Sequence, residues 1–260
     1  MENRDWDYPV SVKDIQVADP TNQIVNRVRA TVDDNTGELL GLVSPRYIPI
    51  QNKTIYDVMT GISGELGLSL QKIDVVKNKR LAIFRYTFGD NTRTVEHSTE
   101  ANDRIKFGFE AINSFDSQLG GGKFRAFAER LVCTNGMTVP KEIGNISFRS
   151  FESVSPTVIK GALQNRIEPL FETVNTWNKW AQVTPNRTKV GEFVCKHFGN
   201  KVSGSILEQY DDSTDKSLWG LYNLVTFHIA HNLKSKDGSL RVRQMDAERI
   251  ANRFYTEDLN

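Results

Sequence analysis

The chain has 260 residues, with 33 Lys and Arg against 32 Asp and Glu. Global charge therefore recruits no polyanion, and a nucleic-acid surface would need local segregation of charge. Apolar residues make up 38% of the sequence in short runs only, and 14 Phe with 4 Trp exceed what a disordered chain carries, so neither a helical membrane protein nor an unstructured chain is expected.

The start, Met1-Glu2-Asn3-Arg4-Asp5-Trp6-Asp7, has acid where a signal peptide needs basic then apolar residues. A cytoplasmic location is the expectation. Residues 1–25 are polar, contain Pro9 and Pro20, and read as an arm or irregular lead-in. Asn26 to Val32 reads as a strand, with Val28 and Ala30 on one face and Arg27 and Arg29 on the other. Asp33-Asp34-Asn35-Thr36-Gly37 is a turn, and Leu39 to Val43 completes a hairpin. Pro45 and Pro49 make the next stretch an extended loop, after which Asn52 or Thr54 caps a short helix through Met59 and Ile62.

Leu68 to Val76 and Arg80 to Phe88 are further strands. In the second, Phe84, Tyr86 and Phe88 alternate with Leu81, Ile83 and Arg85. Arg104 to Ile112 aligns Ile105, Phe107 and Phe109, and the segment from Gly120 to Cys133 reads weakly as strand. Near residue 155 the period turns helical. Ser155-Pro156 is an N-cap followed by proline at the first helical position. Leu163, Ile167, Leu170, Val174 and Trp177 then form one stripe on a helix of about six turns, interrupted by a kink or break near Pro169. Thr184-Pro185 repeats the cap before Val190, Phe193, Val194 and Phe198, with an end at Gly199. Asp215 or Ser217 opens a helix through Ile229, and Met245 to Tyr255 reads as a short last one. The fold class is α+β: an antiparallel β-rich part over 26–154 and a helical part over 155–260 packing on it, in one continuous domain.

Chemical motifs are sparse. Cys133 and Cys195 are in no metal-like spacing and read as reduced core residues. His228 and His231 lack a third ligand, so they read as core or cap histidines rather than a metal site. Cys133 with His97 as base would make a nucleophile, but nothing in the sequence places the two together, and Asn135-Gly136 is an ordinary turn pair. Gly120-Gly121-Gly122-Lys123 lacks phosphate-loop spacing and reads as a hairpin connection, although it would present Lys123 and Arg125 to a phosphate. No cofactor, metal or catalytic residue is expected.

Eleven Lys and Arg lie between Lys72 and Arg130 against eight Asp and Glu, and Phe84, Tyr86, Phe107 and Phe109 are interleaved with them. Cations beside aromatic rings on a sheet suit a single-strand binder, in which charge follows the phosphates and rings stack on bases. The alternative is that the rings are a core face with the cations solvated opposite. A second basic cluster, from Lys234 to Arg253, reads either as a solvated surface or as a docking patch for a backbone or neighbouring subunit.

Three stretches carry a resemblance: Leu40 to Asn52 (LGLVSPRYIPIQN), Ile112 to Asp116 with Arg130 to Gly136 (INSFD and RLVCTNG), and Leu218 to Thr226 (LWGLYNLVT) followed by His231. Their order and spacing resemble a phage- and plasmid-borne family of unknown function, the phage/plasmid-like proteins, over roughly residues 25 to 255. The family pattern follows Asn-Ser with a short His-Asp-Gly-Ser-like turn, whereas here Phe115-Asp116-Ser117 runs into Gln118 to Gly122. The resemblance implies a mobile-element setting and a bacterial host cytoplasm, and it carries over no catalytic residue. By analogy of size and setting with phage annealing recombinases, the expectation is a non-enzymatic, homo-oligomeric single-stranded-DNA-binding protein. Arg80, Arg85, Arg104, Lys106, Lys123 and Arg125 are its candidate phosphate contacts, and Tyr86 its stacking ring. The alternative is a phage protein–protein factor, such as a host-defence inhibitor or an assembly accessory, without a nucleic-acid ligand.

Overall fold

A computed structural model describes residues 5–15, 28–76, 78–96, 103–116, 122–131, 136–137, 145–148, 155–231, 250, 253–257 and 259. Strands fill its N-terminal part. They are β1 (Val10–Asp14), β2 (Arg29–Asp33), β3 (Leu39–Val43), β4 (Ser69–Val76), β5 (Leu81–Thr94), β6 (Arg104–Ser114), β7 (Gly122–Arg130), β8 (Gly136–Met137) and β9 (Asn145–Phe148). One helix, α1 (Asn52–Ser63), lies among them. Helices follow as α2 (Pro156–Ala181), α3 (Arg187–His197), α4 (Asn200–Asp212) and α5 (Leu218–His231). This is the α+β arrangement expected. The strands form a three-stranded sheet β1-β2-β3 and a six-stranded sheet β4-β5-β6-β7-β8 with β9 paired to β7.

The chain packs as two compact units: Met1–Thr87, Phe109–Arg125 and Asn145–Asn165 form one, and Phe88–Gly108, Ala126–Gly144 and Arg166–Asn260 the other. In the first unit the expected hairpin is present. Gly37, at φ 73°, donates its N–H to Asp33 O at 2.8 Å. The lead-in differs from expectation, because Val10–Asp14 is a strand paired antiparallel to β2. Its cause is the alternation of Val10 and Val12 with Ser11 and Lys13, and Tyr8 and Val10 pack with Leu40 and Phe115 in a small core. The free edge of β1 is covered by the Gln51 side-chain amide, which both accepts from Val10 N at 3.0 Å and donates to Val10 O at 2.8 Å.

Gln51, not Asn52 or Thr54, is also the N-cap of α1, and it makes no side-chain cap bond. Asn52 is instead buried, where it donates to Trp6 O at 2.9 Å and accepts from Asn113 Nδ2 at 2.8 Å. Asn113 also donates to Ile50 O at 2.7 Å, and Tyr47 Oη donates to Ser114 O at 2.9 Å. The 40–52 and 112–116 stretches are thus laced together. Gly41 sits at the same seam: a Cβ there would lie 2.5 Å from Asp116 Cα, closer than any real side chain tolerates.

Helix α2 runs on through Pro169, so of the expected kink or break there is no break; in the second unit Thr173 Oγ1 donates back to Pro169 O at 3.2 Å. The cap of α3 is Asn186, whose side chain accepts from Thr188 N and Lys189 N, two residues after Thr184. A carboxamide accepts these orphan donors without the proline's help. Helix α3 ends at His197, and Gly199 opens α4 rather than merely terminating a helix. Sequence periodicity missed α4, whose buried Ser203, Ile206 and Tyr210 make a stripe with a hydroxyl in it. Ser217 caps α5 as expected, its Oγ accepting from Gly220 N at 3.0 Å. Residues 250 and 253–256 are helical, and the rest of the expected last helix lies outside the described residues.

The core of this unit is aromatic. Trp177 stacks on Phe107, with Trp219 5.4 Å away, and Phe254 meets Tyr222, Trp180 and Phe193. At its centre Asp103, fully buried, accepts from Arg130 Nε at 2.5 Å and Nη2 at 2.9 Å, and from Trp219 Nε1 at 2.9 Å. The 130–136 and 218–226 stretches meet through that carboxylate. Among the described residues no helix is long and apolar enough to cross a membrane.

Two substitutions test these seams. Gly41→Ala is expected to lower stability by about 2 kcal/mol, since backbone must shift to admit the methyl, read as the drop in urea midpoint. Trp219→Phe removes one hydrogen bond to a buried carboxylate and is expected to cost about 2 kcal/mol by the same readout.

Candidate functional site

The candidate residues divide between the units: Arg80, Arg85, Tyr86, Lys123 and Arg125 belong to the first, Arg104 and Lys106 to the second. In the first unit the strand period of two sorts them by face. Lys72 on β4 stands opposite Arg85 on β5 in the antiparallel register. Arg85 and Arg125 both reach the Glu110 carboxylate on β6, and Lys123 is two residues from Arg125 on β7. One face of this part of the sheet thus carries cations on β4, β5 and β7, with the acid Glu110 on β6 between the last two and buried Ile83 and Ile112 beside them. The opposite face holds Phe84, Tyr86, Phe109, Ala111 and Phe124, all 1% exposed or less. The rings are a core face, which is the alternative the sequence left open. The cations are less solvated than that alternative supposed, because Glu110 draws two of them in.

Glu110 divides its oxygens. Oε1 accepts from Arg85 Nε at 3.0 Å and Nη2 at 2.6 Å; Oε2 accepts from Arg125 Nε at 3.1 Å and also from Arg125 Nη2. Burial pushes this carboxyl up, yet the charges and hydrogen bonds of Arg125 and Arg85 together hold it below its ordinary value. Lys72 pairs with Asp74 at 2.7 Å. Arg125, expected as a phosphate contact, is buried at 9% exposure, and Arg85 and Lys123 are half-buried, so Lys72 is the most open cation of this face, which also carries Asp74 and Glu110. Arg80 is exposed in the turn before β5. Asn78 and Lys79 in that turn have positive φ, and the Lys79 ammonium pairs with buried Asp33 at 2.6 Å.

Tyr86 does not offer a ring to a base. It is 1% exposed, its hydroxyl has no hydrogen-bond partner among the described residues, and burial first, then Tyr56, pushes its phenol up. In the second unit Arg104 is exposed and donates from Nε and Nη2 to Thr92 Oγ1 at 3.1 and 3.0 Å. Lys106 is half-buried on the same strand, alternating with fully buried Ile105 and Phe107.

His97, Cys133, Gly120, Gly121 and the basic residues 234–249 lie outside the described residues, as does the side chain of His231. Cys195 is a free thiol but exposed, not core, because Phe193 and Val194 take the inward positions of α3. His228 is buried, and burial holds its imidazole below the ordinary value, with Nε2 3.3 Å from Gln209 Oε1. Among the described residues no group of His, Cys, Asp or Glu is placed to hold a metal.

The residues that sequence reasoning passed over are Glu110 and Lys72. An acid at Glu110, on a strand whose neighbours each carry an arginine, was the available signal, but only the strand register reveals the match.

An α+β chain with a cationic sheet face and two pairs of laced sequence stretches defines the setting in which family membership can be stated. A family model described as a domain of unknown function, DUF932, matches residues 39–253, and the chain belongs to that family. No curated protein and no solved structure matches it.

Glu110→Gln leaves buried Arg125 and half-buried Arg85 without their counter-charge, and a loss of about 3 kcal/mol is expected. The carboxyl is held below its ordinary value, so its contribution is fully present above the unfolded carboxylate range near about 4.3 and is lost as pH falls through the folded value. Chemical denaturation across acid pH is the check: the native chain should lose stability below that range more steeply than Glu110→Gln.

Proposed function

We propose that this is a non-enzymatic single-stranded-DNA-binding protein, oligomeric and active in a bacterial host cytoplasm, that serves strand annealing or recombination. The observation that supports the reading is the placement of Lys72, Arg85 and Lys123 on one sheet face, with buried Arg125 and Glu110 behind them. With Tyr86 buried, the binding mode differs from ring stacking. Phosphates lie along Lys72, Arg85 and Lys123, and the bases turn outward. Annealing needs that arrangement, since base edges must stay free to pair with a second strand. Glu110 fixes the two guanidiniums in place, so their ordering cost is met before DNA arrives.

A protein–protein factor is the second reading, favoured by exposed apolar side chains at Leu39, Leu42 and Ile48, the last 66% exposed. Salt dependence separates the two.

The test is binding of labelled single-stranded and duplex DNA at several salt concentrations, with the mass of the complexes measured on the same samples. Each phosphate contact on a single strand contributes about 0.7 to the slope of log affinity against log salt. Lys72→Ala with Lys123→Ala is therefore expected to flatten that slope by about 1.4 and leave the fold intact. No binding at low salt would end the nucleic-acid reading in favour of the second.

A further inference from the structure

A groove beside α2 in the second unit has no part in the DNA reading. It encloses about 360 Å³ and is lined by Ile167, Glu168, Phe171, Glu172, Val174 and Asn175 of the helix, together with Arg93 of β5. At 1.5 Å per residue, the helical wall is about 12 Å long. Its floor is fixed: Phe171 meets Phe107 edge-on at 5.4 Å and Phe88 at 5.0 Å. The guanidinium of Arg93 lies 4.4 Å from the Phe171 ring centroid, and its Nη1 donates to Asn91 Oδ1 at 2.6 Å. That cation is engaged where it stands.

Glu168 and Glu172 are exposed one helical turn apart, and neither forms an ion pair among the described residues. Like charges at this spacing repel each other along a helix, and a bound cation relieves the repulsion. The combination is an apolar floor of half-buried Ile167 and Phe171 under two carboxylates.

We propose that this groove docks an extended basic segment of a partner protein, with lysine or arginine side chains two residues apart seated on Glu168 and Glu172. The spacing matches. Residues one turn apart on a helix have Cβ atoms about 5–6 Å apart, and alternate residues of an extended strand, on one side of it, are about 6.7 Å apart. Long basic side chains lay their methylene stems on apolar surface while the charged head reaches outward. Ile167 and Phe171 supply that surface. A nucleic-acid strand is the disfavoured occupant, because both carboxylates repel phosphate.

The experiment uses the full chain labelled with nitrogen-15, titrated with the blocked tetrapeptide Lys-Val-Lys-Val and, separately, with Glu-Val-Glu-Val and oligo-dT. Saturable amide shifts confined to the 167–175 wall and Arg93, given by the basic peptide alone and weakened by salt, are the expected result. Glu168→Gln with Glu172→Gln is expected to lower the peptide affinity at least tenfold without lowering the thermal midpoint or the single-stranded-DNA affinity. Equal affinity in the double variant, or shifts mapping elsewhere, overturns the proposal. Shifts of the same amides by oligo-dT instead assign the groove to nucleic acid and overturn it too. Because the variants leave the Lys72–Arg125 row untouched, failure here and failure of the DNA reading are separate results.

Discussion

The Glu110 carboxylate is the constraint on which the first unit depends. It sits on β6 between two strands that each bring an arginine, and it is 1% exposed. A charge that deep is tolerable only with its partners in place. Shifting β5 or β7 by one residue would turn Arg85 or Arg125 to the ring face and leave the buried acid with one partner fewer. The ion pairs therefore select a register as much as they add stability. That register in turn decides which side chains share a face: Lys72 and Lys123 join the arginines, and Phe84, Tyr86, Phe109 and Phe124 go to the core.

The second unit solves a similar problem with Asp103. There the carboxylate is fully buried, and its acceptors are filled by one bidentate guanidinium and one indole N–H. A charged pair with every acceptor used is a satisfied core element, and around it the aromatic side chains of α2, α5 and residue 254 close. In each unit two sequence stretches quoted for the family resemblance meet through polar side chains, Asn52 with Asn113 in one and Arg130 with Trp219, through Asp103, in the other. Such contacts give these stretches a structural reason to keep their residue types, independent of any ligand.

Elements governed by local chemistry were legible in the sequence. The Asp33–Gly37 turn, the strands from β3 to β6 and the Ser217 cap follow from turn residues, alternation and capping that a single segment displays. What escaped was decided by distant partners. Asn52 looks like a cap but is taken by Asn113, 61 positions away. The α4 stripe includes Ser203, whose hydroxyl reaches Val194 O and Phe198 O, so no apolar period announced it. Cys195 was expected inside because cysteine packs well there, yet the helix phase set by Val190, Phe193 and Val194 turns it outward. The cations of the candidate site were legible as a composition, and their face was not, since one strand's alternation says nothing about which side its neighbours cover.

That last point changes the chemistry a binding surface can offer. A stacking platform needs rings on the open face, and here the rings of β5, β6 and β7 in the first unit are at most 1% exposed. Bringing Tyr86 to a base would require stripping a buried ring from its neighbours, at a cost of about 3 kcal/mol or more. A row of fixed cations works without that rearrangement, but it reads only charge and spacing, not base identity. Indifference to sequence suits a protein that must hold any strand for pairing. In the proposed reading the same row would not by itself distinguish one strand from two, so strand selectivity would come from geometry: Arg85 on β5 and Lys123 on β7 stand two inter-strand spacings, about 9.5 Å, apart with Glu110 on β6 between them, and a flexible single backbone adjusts its phosphates to that gap where a duplex cannot.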